Sequence, residues 1–222
     1  MSNSNIDAAF CSTTINECYV FVKDKYVVLN YAPGKPKREI ITGPKKIIDR
    51  FPMFANTIFE NQIDCAFDTT DNNAYFFSGD QCVKTTAPQS TNARLVSGPM
   101  LITAMFPTLI GTGFENGINA AMMNHSQTLI HLFKGDNQVV LNLITNELLN
   151  HATMKISKAF PPFTGTVFES GIDAAFNAHI NREFYIFKGH YYGEFDIYSE
   201  QFINGFIKRI DEDWPALDGI LL

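Results

Sequence analysis

The chain repeats itself four times, and that repetition governs what it can fold into. Ile6-Asp7-Ala8-Ala9-Phe10 returns as Ile63-Asp64-Cys65-Ala66-Phe67, as Ile118-Asn119-Ala120-Ala121-Met122 and as Ile172-Asp173-Ala174-Ala175-Phe176, at steps of 57, 55 and 54 residues. A second landmark keeps phase with the first: Tyr19-Val20-Phe21, Tyr75-Phe76-Phe77, His131-Leu132-Phe133 and Tyr185-Ile186-Phe187. Each runs into a turn, at Lys23-Asp24, Gly79-Asp80, Gly135-Asp136 and Gly189-His190. A third is an aromatic before proline (Phe51-Pro52, Phe106-Pro107, Phe160-Pro161, Trp214-Pro215), followed eight residues later by Phe59, Phe114, Phe168 and Leu222. Three landmarks in register across four copies make the repeat the structural unit, and its period belongs to solenoids, arrays and propellers.

Within a copy the pattern reads mainly as strands. Ile172 to Phe176 is a short apolar run with small residues, and Glu183 to Phe187 is β-prone and ends at the Lys188-Gly189-His190 hairpin signal. Tyr191 to Ile197 alternates and makes a third strand, and an outer strand is expected before the helix, as at Glu39-Ile40-Ile41. Pro44 to Phe51 reads as a short helix with proline in its first turn and apolar residues on one face. It stops before Pro52, because a pre-proline residue disfavours the helical region.

Three or four short antiparallel strands per copy make a propeller blade. Neither end carries the polar cap of a solenoid, so the four copies are expected to close into a ring. The expected fold is all-β: a single four-bladed β-propeller over residues 1–222, with blades at 5–57, 58–112, 113–166 and 167–222 and a short helix at the end of each. The Ala-Ala strand is innermost, where small side chains let four strands crowd the axis.

Composition narrows the function. Hydrophobic residues make up 45% and charged residues 18%, which supports a packed core and disfavours a disordered or nucleic-acid-coating chain. The net charge of −6 repels phosphate, and Lys35, Lys37, Arg38, Lys45 and Lys46 read as solvated loop and helix-end charges, so nucleic acid is not an expected partner. The longest run free of Asp, Glu, Lys and Arg, residues 95–114, is broken by two prolines and three glycines, so no helix spanning a bilayer over ~20 residues is expected. The start, Met1 to Phe10, lacks the basic, apolar and small-residue pattern of a secretory leader, so a cytosolic protein is expected.

The Asp-Ala-Ala-Phe inner strand, the Tyr-x-Phe-Lys-Gly hairpin and the aromatic-Pro helix end resemble the haemopexin repeat. Three stretches are similar to the haemopexin-fold seed albumins of the pea albumin 2 group: Asp24 to Gly34 (DKYVVLNYAPG), Gly43 to Ile47 (GPKKI) and Gly165 to Phe176 (GTVFESGIDAAF). The resemblance covers essentially the whole chain. It implies a cytosolic seed albumin that binds a polyamine (spermine) and haem, in some members agglutinates red cells, carries ions in a central channel, and exchanges between monomer and homodimer. The third copy departs with Met122 in place of Phe and with His131 and Gln138 where others mostly have Tyr. The second has Ser78 for Lys and Cys82 for Tyr.

Asp7, Asp64, Asn119 and Asp173 start the four inner strands. Pseudo-fourfold symmetry places their backbone carbonyls in one ring, and hard cations such as Ca²⁺ or Na⁺ take oxygen ligands. With the resemblance, this implies a cation on the main-chain oxygens of Asp7, Asp64, Asn119 and Asp173. Their side chains are expected to bond neighbouring blade backbones, and acidic groups at a channel mouth suit a polycation such as spermine.

Five histidines (His125, His131, His151, His179, His190) show no zinc-ligand spacing. His125 and His179 lie one repeat apart and read as turn residues first, ligands second; nothing selects one histidine for haem. Cys11 and Cys18 flank the first hairpin turn and could face each other, but a reducing cytosol favours free thiols. Cys65 and Cys82 read as core fillers on non-neighbouring strands. Phe21, Phe77, Phe133 and Phe187 recur in every copy, which points to packing between blades. No nucleophile elbow, HExxH motif or phosphate-cradling loop appears. The expected function is therefore non-enzymatic ligand binding with a storage role, the alternative being a protein-interaction or carbohydrate-binding module.

Overall fold

The computed structural model describes residues 6–32, 39–86, 88–90, 92–124, 128–149, 153–179, 183–217 and 220–221. Lys35, Lys37, Arg38, His125, His151 and Leu222 therefore lie outside the described residues.

Each repeat folds as one antiparallel sheet whose strands follow chain order from the axis outward. The first holds β1 (Ala8–Cys11), β2 (Glu17–Val22), β3 (Lys25–Asn30) and β4 (Glu39–Lys46). The second holds β5 (Cys65–Thr69), β6 (Asn73–Ser78), β7 (Gln81–Thr86) and β8 (Arg94–Leu101). In the third, β9 (Ala120–Met123), β10 (Leu129–Lys134) and β11 (Asn137–Asn142) meet an outer edge broken into β12 (Glu147–Leu148) and β13 (Met154–Lys155), both pairing β11. The fourth holds β14 (Ala174–Asn177), β15 (Glu183–Lys188), β16 (Tyr191–Asp196) and β17 (Gln201–Arg209). The inner strands close a cycle: β1 lies against β5 and β14, and β9 against the same two. The molecule is a four-bladed propeller.

The helix after each blade is shorter than the pattern predicts. Pro44, Lys45 and Lys46 belong to β4, with Lys45 opposite Tyr26 and Lys46 opposite Lys25. The outer strand of a blade has a free edge, where a residue without an N–H is tolerated. The helix α1 is then the single turn Ile47–Arg50, and α2 (Ile102–Met105), α3 (Ile156–Ala159) and α4 (Ile210–Asp213) repeat it. The prolines that follow open 3₁₀ turns at Pro52–Phe54, Pro107–Leu109, Pro161–Phe163 and Pro215–Leu217. Gly98 is demanded by its bulge in β8: φ is +89°, and a Cβ there would stand 2.6 Å from the Cys82 carbonyl oxygen.

The core consists of four apolar clusters, one in each seam between blades. Phe10 and Phe21 meet Phe76 and Phe54 in the first seam, and Phe77 and Cys82 meet Ile118 and Leu132 in the second. Phe133 and Phe160 meet Phe184 and Phe195 in the third, and Phe187 and Trp214 meet Val20 and Tyr31 in the fourth. The recurring phenylalanines are thus inter-blade packing, each burial worth about 2–3 kcal/mol. The alternating in–out pattern of a two-layer sheet is missing in the inner strands because both faces of each blade are covered. Ala8, Ala9, Phe10 and Cys11 are all buried.

Candidate binding sites at the two ends of the channel

The inner strands run in one direction along the axis, so their first residues define one mouth. There Asp7, Asp64, Asn119 and Asp173, with Ile6 and Gln62, line a recess of about 140 Å³. Each of the four is pinned twice within its own blade. Its N–H donates to the carbonyl of Phe21, Phe77, Phe133 or Phe187. Its side chain accepts from the hairpin-turn amide: Lys23 N–H to Asp7, Gly79 N–H to Asp64 at 2.7 Å, Gly135 N–H to Asn119 at 3.0 Å and Gly189 N–H to Asp173 at 2.8 Å. The expectation that these side chains bond neighbouring blades is corrected. The hairpin turn comes back beside the start of the inner strand, so its amide is the nearest donor.

The recess is acidic. Asp7 is pushed above the usual carboxylate range, first by burial and then by repulsion from Asp64 and Asp173, against the opposing bond from Lys23. Lys188 offsets part of the charge through a 2.6 Å ion pair with Asp173. The polar side chains lining the recess carry carboxylate and amide oxygens, a set that fits a hard cation and not zinc or copper. Among the described residues, no three His, Cys, Asp or Glu side chains gather closely enough to hold a metal by themselves.

The opposite mouth is built differently. Asn177 bridges the fourth blade to the third, its Oδ1 accepting from Met123 N–H at 3.1 Å and its Nδ2 donating to Met123 O at 2.8 Å. Asp68 is the equivalent residue in the second blade, and its carboxylate accepts from Cys11 N–H. A carboxylate cannot return a donor, so Gln89 supplies it: its Nε2 donates to Cys11 O at 2.9 Å and its Oε1 accepts from Thr13 N–H at 2.9 Å. Burial pushes Asp68 up to about 6, the N–H bonds opposing only in part. Asp68 lines an open cavity of about 580 Å³ together with Thr13, Thr69, Asn73, Gln89 and Ser90 among others. Sequence reasoning passed over Asp68; its one visible signal is an acid where the fourth copy has Asn177.

Beside this end His179 joins the first and fourth blades. Its Nε2–H donates to Ser12 O at 2.9 Å and its Nδ1 accepts from Asn16 N–H at 3.0 Å, which fixes a neutral ring with the proton on Nε2. Tyr31 OH also contacts Nδ1 and accepts from the His179 N–H at 2.9 Å. The turn position expected for His179 is where it stands, but its ring serves the seam. His131 is instead half-buried, its Nδ1 3.2 Å from Gln138 Oε1 and its ring 5.4 Å from that of Phe160. His190 is exposed in its hairpin turn.

Burial holds His131 below the ordinary histidine value. Its neutral form is stabilising above the unfolded-state value of about 6.5, and that contribution is lost as pH falls below it, because only the unfolded chain binds the proton readily. His131→Tyr, which installs the residue of the other three blades, is expected to flatten the fall of Tm below about pH 6.5. Thermal melts across pH check this, and an unchanged acid slope would assign the effect elsewhere.

All four cysteines are buried, and none is in a disulfide. Cys65 and Cys82 belong to one seam cluster but to β5 and β7, with β6 between them. Cys11 and Cys18 are direct partners across β1 and β2.

The fold and its axial recess define a small haemopexin-type propeller with an acidic mouth on its axis. No family model matches the chain. It is 40% identical to albumin-2 of Pisum sativum over 222 residues, covering 97% of this chain and 96% of that protein. Among solved structures, a plant albumin from Cicer arietinum showing haemagglutination superposes with a TM-score of 0.90 at 40% identity, covering 97% of each chain. The haemopexin-fold protein CP4 from cow pea gives 0.90 at 38%, covering 97% and 98%. A Cicer arietinum plant lectin with two metal binding sites gives 0.90 at 42%, covering 97% of each. The chain belongs to the albumin-2 family of haemopexin-fold seed albumins. Among the described residues no helix is long and apolar enough to cross a membrane.

Proposed function

We propose that this seed albumin binds a linear polyamine of the spermine class at the mouth formed by Asp7, Asp64, Asn119 and Asp173, with Ca²⁺ or Na⁺ held on the main-chain oxygens of the same residues. One observation carries the reading: three carboxylates and an amide converge on a single axial recess, each fixed by a turn amide of its own blade. Fixed acidic groups around a narrow opening attract a chain of ammonium groups at little ordering cost. A bound cation would neutralise the repulsion that raises Asp7 and would compete with the polyamine. Haem has less support, since His131 is half-buried with Nδ1 engaged by Gln138, and both ring nitrogens of His179 are engaged; His190 is the exposed imidazole among the described residues. On this reading the protein works in the cytosol of seed cells without turning its ligand over, as a monomer exchanging with a homodimer, and doubles as a nitrogen store.

Isothermal titration of cation-stripped and Ca²⁺-loaded protein with spermine tests the site. Asp7→Asn with Asp64→Asn is expected to weaken binding at least about tenfold, the equivalent of about 1.4 kcal/mol, at low ionic strength. Asn119 already shows that an amide keeps the turn bond, so the variant should fold. Unchanged affinity would move spermine elsewhere, and absence of binding would sink the polyamine reading.

A second reading, carbohydrate binding, is favoured by the hydroxyl- and amide-lined cavity at the other mouth and by the haemagglutinating relative. Red-cell agglutination with sugar competition separates the two.

A further inference from the structure

The first hairpin places two thiols opposite each other. Cys11 pairs with Cys18 in the β1–β2 register, and the next pair, Ser12 with Glu17, is joined by the Ser12 N–H to Glu17 O bond at 2.9 Å. Bonded and non-bonded pairs alternate along an antiparallel ladder, so Cys11 and Cys18 occupy a non-hydrogen-bonded site, where α-carbons stand about 4.5 Å apart and side chains are closest. That spacing lies at the short end of the roughly 4.4–6.8 Å range a disulfide spans. Both side chains leave the same face, toward the fourth-blade seam: Cys18 is in its core cluster, and the Cys11 sulfur lies 3.8 Å from Tyr31 OH. The Cys11 sulfur is also 3.5 and 3.6 Å from the two nitrogens of His179.

We propose that Cys11 and Cys18 are a reversible modification site, closed to a disulfide by small-molecule disulfides of the oxidised-glutathione class. The step balances as a thiol–disulfide exchange. The Cys11 thiolate attacks one sulfur of the small disulfide and expels the first small thiol, leaving Cys11 as a mixed disulfide. The Cys18 thiolate then attacks the Cys11 sulfur and expels the second. Two electrons pass to the oxidant, and the two thiol protons leave with the two small thiols. Cys11 is the entry point because it is 7% exposed while Cys18 is fully buried. Burial pushes the Cys11 thiol up to about 12, which makes the exchange slow.

The bond would close residues 12–17 into a small ring, and that loop is what receives the fourth blade. Ser12 O and Asn16 N–H hold His179, and Asn16 O accepts from Tyr31 N–H at 2.7 Å. Oxidation therefore staples the loop on which ring closure rests. Cys65 and Cys82, kept apart by β6, are the internal control. This inference does not depend on what the channel binds.

The test is incubation of the native protein with oxidised glutathione at mildly alkaline pH, followed by denaturing alkylation and tryptic mapping. Residues 1–23 carry both cysteines of the pair, and residues 51–84 carry both controls. The expected result is a 1–23 peptide that is unalkylated and two hydrogens lighter, an alkylated 51–84 peptide, reversal by reductant, and a Tm several degrees higher in the oxidised form. In Cys18→Ala the reaction should stop at glutathione on Cys11, without the rise in Tm. A 1–23 peptide that stays doubly alkylated, or one that ends as a glutathione adduct in the wild type, overturns the proposal. So does an oxidised form that melts no higher than the reduced one. The wild-type map and melt decide alone if Cys18→Ala does not fold.

Discussion

Phe76→Ala is expected to destabilise the protein by about 4 kcal/mol, among the largest losses a single truncation can produce here. At this position of the repeat the other blades carry Val20, Leu132 and Ile186. Only in the second blade does a ring stand there, and it meets a waiting aromatic set from the first. Its centroid lies 5.5 Å from Phe10, 6.2 Å from Phe21, 5.2 Å from Phe51 and 5.3 Å from Phe54, each time at a steep angle. Edge-to-face pairs of this kind add to the burial of a fully enclosed ring. Truncation leaves a void walled by four aromatics that are themselves held by strands and 3₁₀ turns, so the seam cannot collapse to fill it. Urea titration should show a lower midpoint with an unchanged slope, and Tm should fall by about 10 °C. Phe76→Leu should keep most of the stability. A loss below about 1.5 kcal/mol for the alanine variant would mean the first seam repacks freely.

The second large effect has the opposite sign. Asp68→Asn is expected to stabilise the protein by on the order of 2 kcal/mol at neutral pH. The folded-state value of about 6 lies above the unfolded value of about 3.8, so the native protein holds this proton longer than the unfolded chain. The group therefore favours folding most below pH 3.8. It withdraws stability as pH rises from 3.8 to 6, and the full penalty persists above that window. An asparagine removes the buried charge and supplies the donor that Gln89 now provides, as Asn177 does for Met123 O at the equivalent seam. Melting curves of wild type and variant should converge near pH 4 and separate by pH 7. Parallel curves over that range would show that Asp68 does not carry a raised value. In the wild type this titration and that of His131 act in opposite directions, and the two substitutions separate them.

The architecture was legible because the landmarks are backbone-level features repeated four times. The Ala-Ala pairs mark the strands that crowd the axis, the Gly-Asp turns mark hairpins, and the aromatic-Pro pairs mark the chain's return to the seam. The helix boundary was misplaced at Pro44 because a proline at a free strand edge and a proline in a first helical turn look alike in sequence. The mouth residues were found by symmetry, yet their side-chain partners were not. A bond from Asp64 to Gly79 depends on where the hairpin returns, which periodicity does not encode. Asp68, Gln89 and His179 were missed as partners because their bonds run from one copy to another. A method that reads what copies share is blind to residues that join one copy to another, and His179 meets Ser12 across 167 positions.

That long reach matters for how the protein is made. Every sheet is assembled from consecutive strands, so each blade can form as soon as its own segment is complete, with little loop-closure entropy. Closure of the ring is the exception. Val20, Val22, Leu29 and Tyr31 are covered only when Phe187 and Trp214, near the other end of the chain, arrive. While the ribosome is still extending the chain, the first blade has one face packed and one face bare. The apolar surface most open to the wrong neighbour is thus that of the first blade, exposed until the fourth blade has been made.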